Sequence, residues 1–132
     1  MVYASPRFVL EEQLRCVAGK EWEAVLGLYA DDAVVEQPFA RPHELRLEGK
    51  EAIKEHFVRT DALPIDIEVR NLVVHESSDP EVIIAECDYR VVAGATSKES
   101  VVHNIFVVCV RDGKIAWSRD YHDMTALGDA MA

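Results

Sequence analysis

The sequence predicts an α+β domain in which three N-terminal helices pack on one face of a mostly antiparallel sheet. Three observations predict it. Apolar residues keep helical spacing through most of the chain up to Thr60, the period changes to two after Pro64 and stays there through four long runs, and the turns between those runs are short. Helices first and a meander of strands afterwards is the α+β pattern. With 132 residues, 49% of them apolar, the chain amounts to one domain, residues 1–132, that can bury its own core.

Each element has a local reason. Ser5-Pro6 is an N-cap followed by proline at the first helical position, and Gly19 fits the residue just past a helix end, which sets a first helix over roughly 6–18. Lys20 to Tyr29 repeats the spacing through Trp22, Val25, Leu26 and Tyr29 until Asp31-Asp32 breaks it. Ala33 to Gln37 is a short strand stopped by Pro38, and Phe39 to Glu48 is expected to be a loop. Gly49 to Thr60 is the third helix, with Ile53, His56, Phe57 and Thr60 on one side. Four strands follow: Ile65 to His75, Val82 to Ala93, Glu99 to Arg111 and Lys114 to Asp123. Ser77-Ser78-Asp79-Pro80, the Gly94 to Lys98 loop and Asp112-Gly113 separate them. Gly128 to Ala132 is expected to fray.

Charge and cysteine usage narrow the function classes. Fourteen Lys and Arg against 24 Asp and Glu leave a net charge of −10, the wrong sign for a surface that tracks phosphates or anionic lipid. No apolar run approaches the roughly 18 residues of a membrane span, and the start has no basic region followed by an apolar stretch. A cytoplasmic protein is the expectation. Cys16, Cys87 and Cys109 are odd in number and widely spaced, each in an apolar run, and are expected to be buried reduced thiols, Cys109 being inert filling.

Asp112-Gly113 between two alternating runs signals a hairpin, because both central positions of a type I′ turn need positive φ. Pairing Arg111 with Lys114 and counting outward sets Cys109 against Ala116, Val107 against Ser118, Ile105 against Asp120 and His103 against His122, all on the face beneath the helices. The other face then carries Val102, Phe106, Val108 and Val110 beside Ile115, Trp117, Arg119 and Tyr121, a bulky surface expected to be a homodimer interface. Small Ala116 and Ser118 with ionisable Asp120 and His122 under a helical cover point to a cavity. Two other readings of these residues stay open: Asp120 paired with Arg119 or Arg90 beside histidines at a wet sheet edge, and a metal site of His103, Asp120 and His122.

The run Leu28-Tyr29-Ala30-Asp31-Asp32-Ala33-Val34-Val35-Glu36-Gln37-Pro38-Phe39, then Leu47-Glu48-Gly49-Lys50-Glu51-Ala52-Ile53, resembles the nuclear transport factor 2-like superfamily in its SnoaL-like and ketosteroid isomerase-like branch. Asp112-Gly113-Lys114-Ile115 and Ser118-Arg119-Asp120-Tyr121-His122-Asp123 are similar to the last strand of that branch. The resemblance implies a cone-shaped α+β barrel, three helices on a strongly curved sheet, with a deep apolar pocket and dimerisation through the outer face of the sheet. It is a marker of fold more than of function, since the superfamily hosts isomerases, cyclases, epoxide hydrolases, dehydratases and inert binders. The three isomerase positions fall at Gln37, Gln13 and Ile105, none of which carries the isomerase's group. The carboxylic acid that burial keeps neutral in that isomerase is among the groups lost, so steroid isomerisation by its mechanism is disfavoured. SnoaL-like cyclases place an acid/base aspartate on the last strand, at a position similar to Asp120. Epoxide hydrolases use two aspartates bridged by an arginine, which Asp88 and Arg90 match only in residue type.

The chemistry expected of these residues is acid/base. Desolvation would raise Asp120 toward a pKa useful for taking a proton α to a carbonyl, with His122, His103, Gln37 or His56 as hydrogen-bond donor to the developing enolate. Ser118, Ile105 and Phe39 complete the expected ligand contacts, Trp22 and Tyr29 serve as walls and core, and His43 and Glu44 are solvated. Such a site needs no cofactor. Its expected partner is an apolar small molecule, acted on by a cyclase, isomerase or lyase, or only bound by a noncatalytic pocket protein.

Overall fold

The computed structural model describes residues 2–131. Helix α1 (Pro6–Ala18) starts where Ser5 accepts a hydrogen bond from the Phe8 amide at 3.2 Å and ends at Gly19. It buries Val9, Leu10 and Leu14 against the sheet. Helix α2 (Trp22–Leu26) is shorter than its spacing predicts, because Gly27 caps it and Tyr29 already belongs to strand β1 (Tyr29–Gln37). Tyr29 satisfies both periods, so spacing alone could not assign it. Strand β2 (Leu45–Glu48) lies inside the segment expected to be a loop; it pairs antiparallel with β1, Leu47 opposite Val35. Four residues are too few to establish an alternation. Gly49, with φ of +86°, turns the chain into α3 (Lys50–Asp61), a backbone angle that side chains disfavour.

Strands β3 (Ile65–Glu76), β4 (Val82–Ala93), β5 (Glu99–Arg111) and β6 (Lys114–His122) match the predicted meander to within a residue. The sheet order is β2-β1-β6-β5-β4-β3, antiparallel throughout except for the parallel pair β1 and β6. The sheet is curved and does not close. Helix α4 (Met124–Ala130) occupies the tail expected to fray, although Ala132 lies outside the described residues. Asp123 caps it by accepting from the Ala126 amide at 3.1 Å, and Ala130 is buried. An aspartate N-cap ahead of apolar residues is a helix start, and reading Asp123 as the end of a strand concealed it.

The hairpin turn is as predicted, with Asp112 at φ +52° and Gly113 at +76° and Arg111 opposite Lys114. Two residues later the predicted register fails. Val110 pairs with Ile115 but Cys109 pairs with Trp117, so Ala116 is an extra residue on β6, a β-bulge. Beyond it Val108 faces Ser118, Phe106 faces Asp120 and Asn104 faces His122. A one-residue slip exchanges the two faces of a strand. Val102, Phe106, Val108 and Val110 on β5 and Ile115 on β6, expected outside, are therefore buried core, while His103, Ile105 and Val107, expected beneath the helices, turn outward. Trp117, Arg119 and Tyr121 keep their outward positions, with the Arg119 guanidinium 4.5 Å from the Trp117 ring centre.

Cys16, Cys87 and Cys109 are buried and unpaired, and burial pushes the Cys87 thiol up to about 11. Among the described residues no helix is long and apolar enough to cross a membrane.

Candidate active site

A cavity of about 190 Å³ opens between the helices and the concave face of the sheet. It is somewhat larger than the ~150 Å³ engineered cavity that accepts benzene, so one or two rings fit it. Its walls are Trp22 and Phe57, stacked 5.4 Å apart, with Tyr29, Tyr89 and Phe106. Trp22 is held by donating its indole N–H to Asp61 at 2.6 Å. Leu63 and Met131 line the cavity and are also solvent-exposed, which places the mouth between the end of α3 and the end of α4. Lys98 ties α4 down through the Asp129 carbonyl at 2.9 Å.

Asp120 and His122 lie on the floor, two residues apart on β6 and therefore on one face. Asp120 has no salt bridge among the described residues. Arg119 lies on the opposite face against Trp117, and Arg90 is held by Glu99 and Glu68. The paired-carboxylate reading is thus excluded by geometry. Without a cation, burial pushes the Asp120 carboxyl up to about 7; only the nearby Ser118 hydroxyl favours the anion. That hydroxyl is completely buried and makes no hydrogen bond among the described residues. Burial, reinforced by the neighbouring His56, pushes His122 down to about 4. His56 is lowered in turn by burial and by Arg59, so both rings favour the neutral form at pH 7.

The other expected site residues divide. Gln37 and His56 line the cavity, and Ser118 lies beneath the floor beside Asp120. Ile105 and His103 do not, because the bulge turns them outward; His103 Nδ1 instead sits 2.6 Å from Asp88. Phe39 is exposed and packs edge-on to Tyr121 on the outer face, since the chain leaves the cavity after Pro38. The set His103, Asp120 and His122 cannot share a metal ion, because His103 lies across the sheet from the other two. Among the described residues no group of three or more His, Cys, Asp or Glu is arranged to hold one.

Three polar residues were not expected here, and a fourth, Tyr29, was expected only as wall. Gln13 lines the cavity from α1, and its amide sits beside the Tyr29 hydroxyl. Burial, with Asp120 nearby, keeps the phenols of Tyr29 and Tyr89 protonated far above neutral pH, so both are donors. Asn104 is buried on β5 with its amide oxygen 2.7 Å from His122 Nδ1. The inward alternation of Ile83, Ala85, Cys87, Tyr89 and Val91 on β4 could have revealed Tyr89; Asn104 stayed hidden behind the bulge.

A family model described as the SnoaL-like domain matches residues 10–118. The chain belongs to the SnoaL-like family. Solved structures similar to this SnoaL-like domain include a putative isomerase from Bacillus subtilis, 26% identical with a TM-score of 0.83, over 96% of this chain and 95% of that one. A putative polyketide cyclase from Xanthomonas campestris pv. campestris is 17% identical with a TM-score of 0.81, over 96% of each chain. An LEH-like epoxide hydrolase from M. tuberculosis is 20% identical with a TM-score of 0.70, over 93% of this chain and 86% of that one. No curated protein sequence matches significantly. The fold of the SnoaL-like domain is therefore shared with proteins named for several reactions, and its chemistry has to be argued from its own cavity.

The same two groups govern the pH dependence of stability. Asp120 is protonated in the folded state up to about pH 7, so between the unfolded carboxyl value near 4 and that point its contribution falls as pH rises. His122 stays neutral when folded down to about pH 4, so between 4 and its unfolded value near 6.5 its contribution rises with pH. The two slopes oppose each other over that shared window. Wild type is expected to show a shallow stability profile from about pH 4.5 to 6.5, whereas His122→Phe should lose stability steadily across it. Urea melts at four pH values measure this; parallel profiles would contradict the paired shifts.

Proposed function

We propose that this protein is a small cofactor-independent enzyme in which Asp120 moves a proton α to the carbonyl of an apolar one- or two-ring compound. The observation that carries the reading is a carboxyl without a cationic partner on the floor of an aromatic cavity, raised by burial to about 7. Such a group is half ionised at neutral pH, where a general base works best.

As base, the carboxylate takes the α proton while the C–H electron pair moves into the carbonyl, leaving an enolate oxygen. Tyr29, Tyr89, Gln37 and Gln13 line the cavity and are the groups able to donate hydrogen bonds to that oxygen. In an aldol cyclisation the enolate carbon would then attack a second carbonyl of the same molecule, and protonated Asp120 would return its proton to the resulting alkoxide. Isomerisation would return it to a different carbon. The polyketide cyclase among the structural relatives supports the first direction, and the putative isomerase the second.

The second reading is a noncatalytic binder, favoured by the predominance of aromatic wall over polar floor. A thermal-shift screen with fused-ring ketones and aromatic β-keto esters, followed by product analysis of each hit, separates the two. Saturation at 100 times Kd should add about 2.7 kcal/mol. Turnover should rise with pH through a midpoint near 7. Hits that bind without being consumed would leave the binder, and a rate independent of pH from about 5 to 9 would remove Asp120 as the base.

A further inference from the structure

The hydrogen bond between Asn104 and His122 has a direction that the surroundings impose. Asn104 Nδ2 faces two backbone carbonyls, Cys87 O at 3.4 Å and Val102 O at 3.2 Å, neither of which can donate. The amide must therefore present Nδ2 to them and Oδ1 to the imidazole. Oδ1 can only accept. His122 Nδ1, 2.7 Å away, must then carry the proton and donate it. In a neutral ring this leaves Nε2 as a bare acceptor.

That acceptor has no partner in the protein. Among the described residues Nε2 makes no hydrogen bond, and it is not among the polar atoms sealed from solvent. The ring lies against Phe106 at 5.5 Å and Tyr89 at 6.0 Å, so apolar surface flanks it on the cavity side. The other groups that face His122 are His56 across the cavity, the Tyr89 phenol and, two residues back, Asp120. The expected role of His122 as a donor to an enolate is thereby reversed, because its only N–H is already used by Asn104.

We propose that Asn104 is a positioning residue that holds His122 in the Nδ1–H tautomer, and that Nε2 accepts a hydrogen bond from a hydroxyl of the ligand. The substrate class is then a hydroxylated one- or two-ring ketone rather than an unsubstituted one. Residues two apart on a strand are about 7 Å apart, roughly the span of one ring with its substituents. The hydroxyl on His122 and the part of the ligand that meets Asp120 therefore lie on opposite sides of a ring. This rests on the reading of the cavity as a ligand site but not on catalysis.

The test pairs 6-hydroxy-1-tetralone with 1-tetralone. In calorimetry, wild type should bind the hydroxylated ketone about ten-fold more tightly. His122→Phe should erase that preference, bringing the two affinities to within about two-fold of each other. Long-range ¹H–¹⁵N correlation of the wild-type histidines should show His122 protonated at Nδ1 and not at Nε2. In Asn104→Leu the ring should populate both tautomers and the hydroxyl preference should shrink, an effect a merely structural asparagine would not produce. An Nε2–H tautomer in wild type overturns the proposal, and so does equal binding of the two ketones or failure to bind either. The wild-type spectrum and the His122→Phe comparison stand even where Asn104→Leu does not fold. A hydroxyl preference without turnover would remove the enzymatic reading and leave this inference in place; turnover of both ketones with equal affinity would do the reverse.

Discussion

Asp120→Asn is expected to lower turnover by about 10²- to 10⁴-fold, the usual contribution of a general acid/base, while the protein still folds and binds. The amide keeps the shape of the carboxyl but cannot take up a proton. Substrate affinity should change by no more than a hydrogen bond's worth, about 1 kcal/mol, so the loss falls on kcat rather than KM. Stability provides the control. Above pH 7 wild type holds an unpaired carboxylate in the cavity floor, and each unit by which burial raises its pKa corresponds to about 1.4 kcal/mol. The variant carries no such charge, so at pH 8 it should melt at the wild-type temperature or higher. A loss of activity with a lowered melting temperature would indicate a damaged fold, and full activity would dismiss Asp120 from the chemistry.

Val108→Asp should unfold the protein or destabilise it by about 3–5 kcal/mol, because it buries a charge with no partner. Val108 is 6% exposed on the inner face of β5, opposite Ser118. Under the straight hairpin register the same substitution would decorate the outside and only separate monomers. Ile105→Asp is the matching test of the outer face, since Ile105 is 45% exposed there. It should leave the melting temperature of a monomer unchanged, and it should dissociate a homodimer that uses this face. Circular dichroism for the first variant and light scattering for the second decide between the two registers.

The architecture was legible because it rests on periodicity. The chain from Pro64 onward keeps mainly to a period of two between short turns, and Ser5-Pro6, Gly49 and Asp112-Gly113 mark boundaries through backbone angles and caps that local residue types impose. What was not legible had no local signature. The bulge at Ala116 adds one residue to β6, and nothing in the identity of an alanine announces it. Asp120 and His122 were nevertheless placed correctly, because their own parity on β6 beyond the bulge matched the count. His103 and Ile105 were misplaced because the count carried them across it onto β5. Asn104 became visible only once the true register put it opposite His122, and β2 was too short to show a period at all.

The strand that carries Asp120 and His122 is the sixth of the six described strands in chain order, yet it lies in the interior of the sheet, with β1 on one side and β5 on the other. Its contact with β5 is local and can zip from the Asp112-Gly113 turn. Its parallel contact with β1, Val35 beside Ser118, instead joins opposite ends of the chain. Closing so long a loop is entropically costly and tends to come late. During synthesis β1 and β2 must therefore wait with an unpaired edge until β6 arrives, and the floor of the cavity comes into being with the final closure of the sheet. No shorter fragment of the chain should show even weak activity, and amide exchange along β6 should report complete folding of the molecule rather than local order.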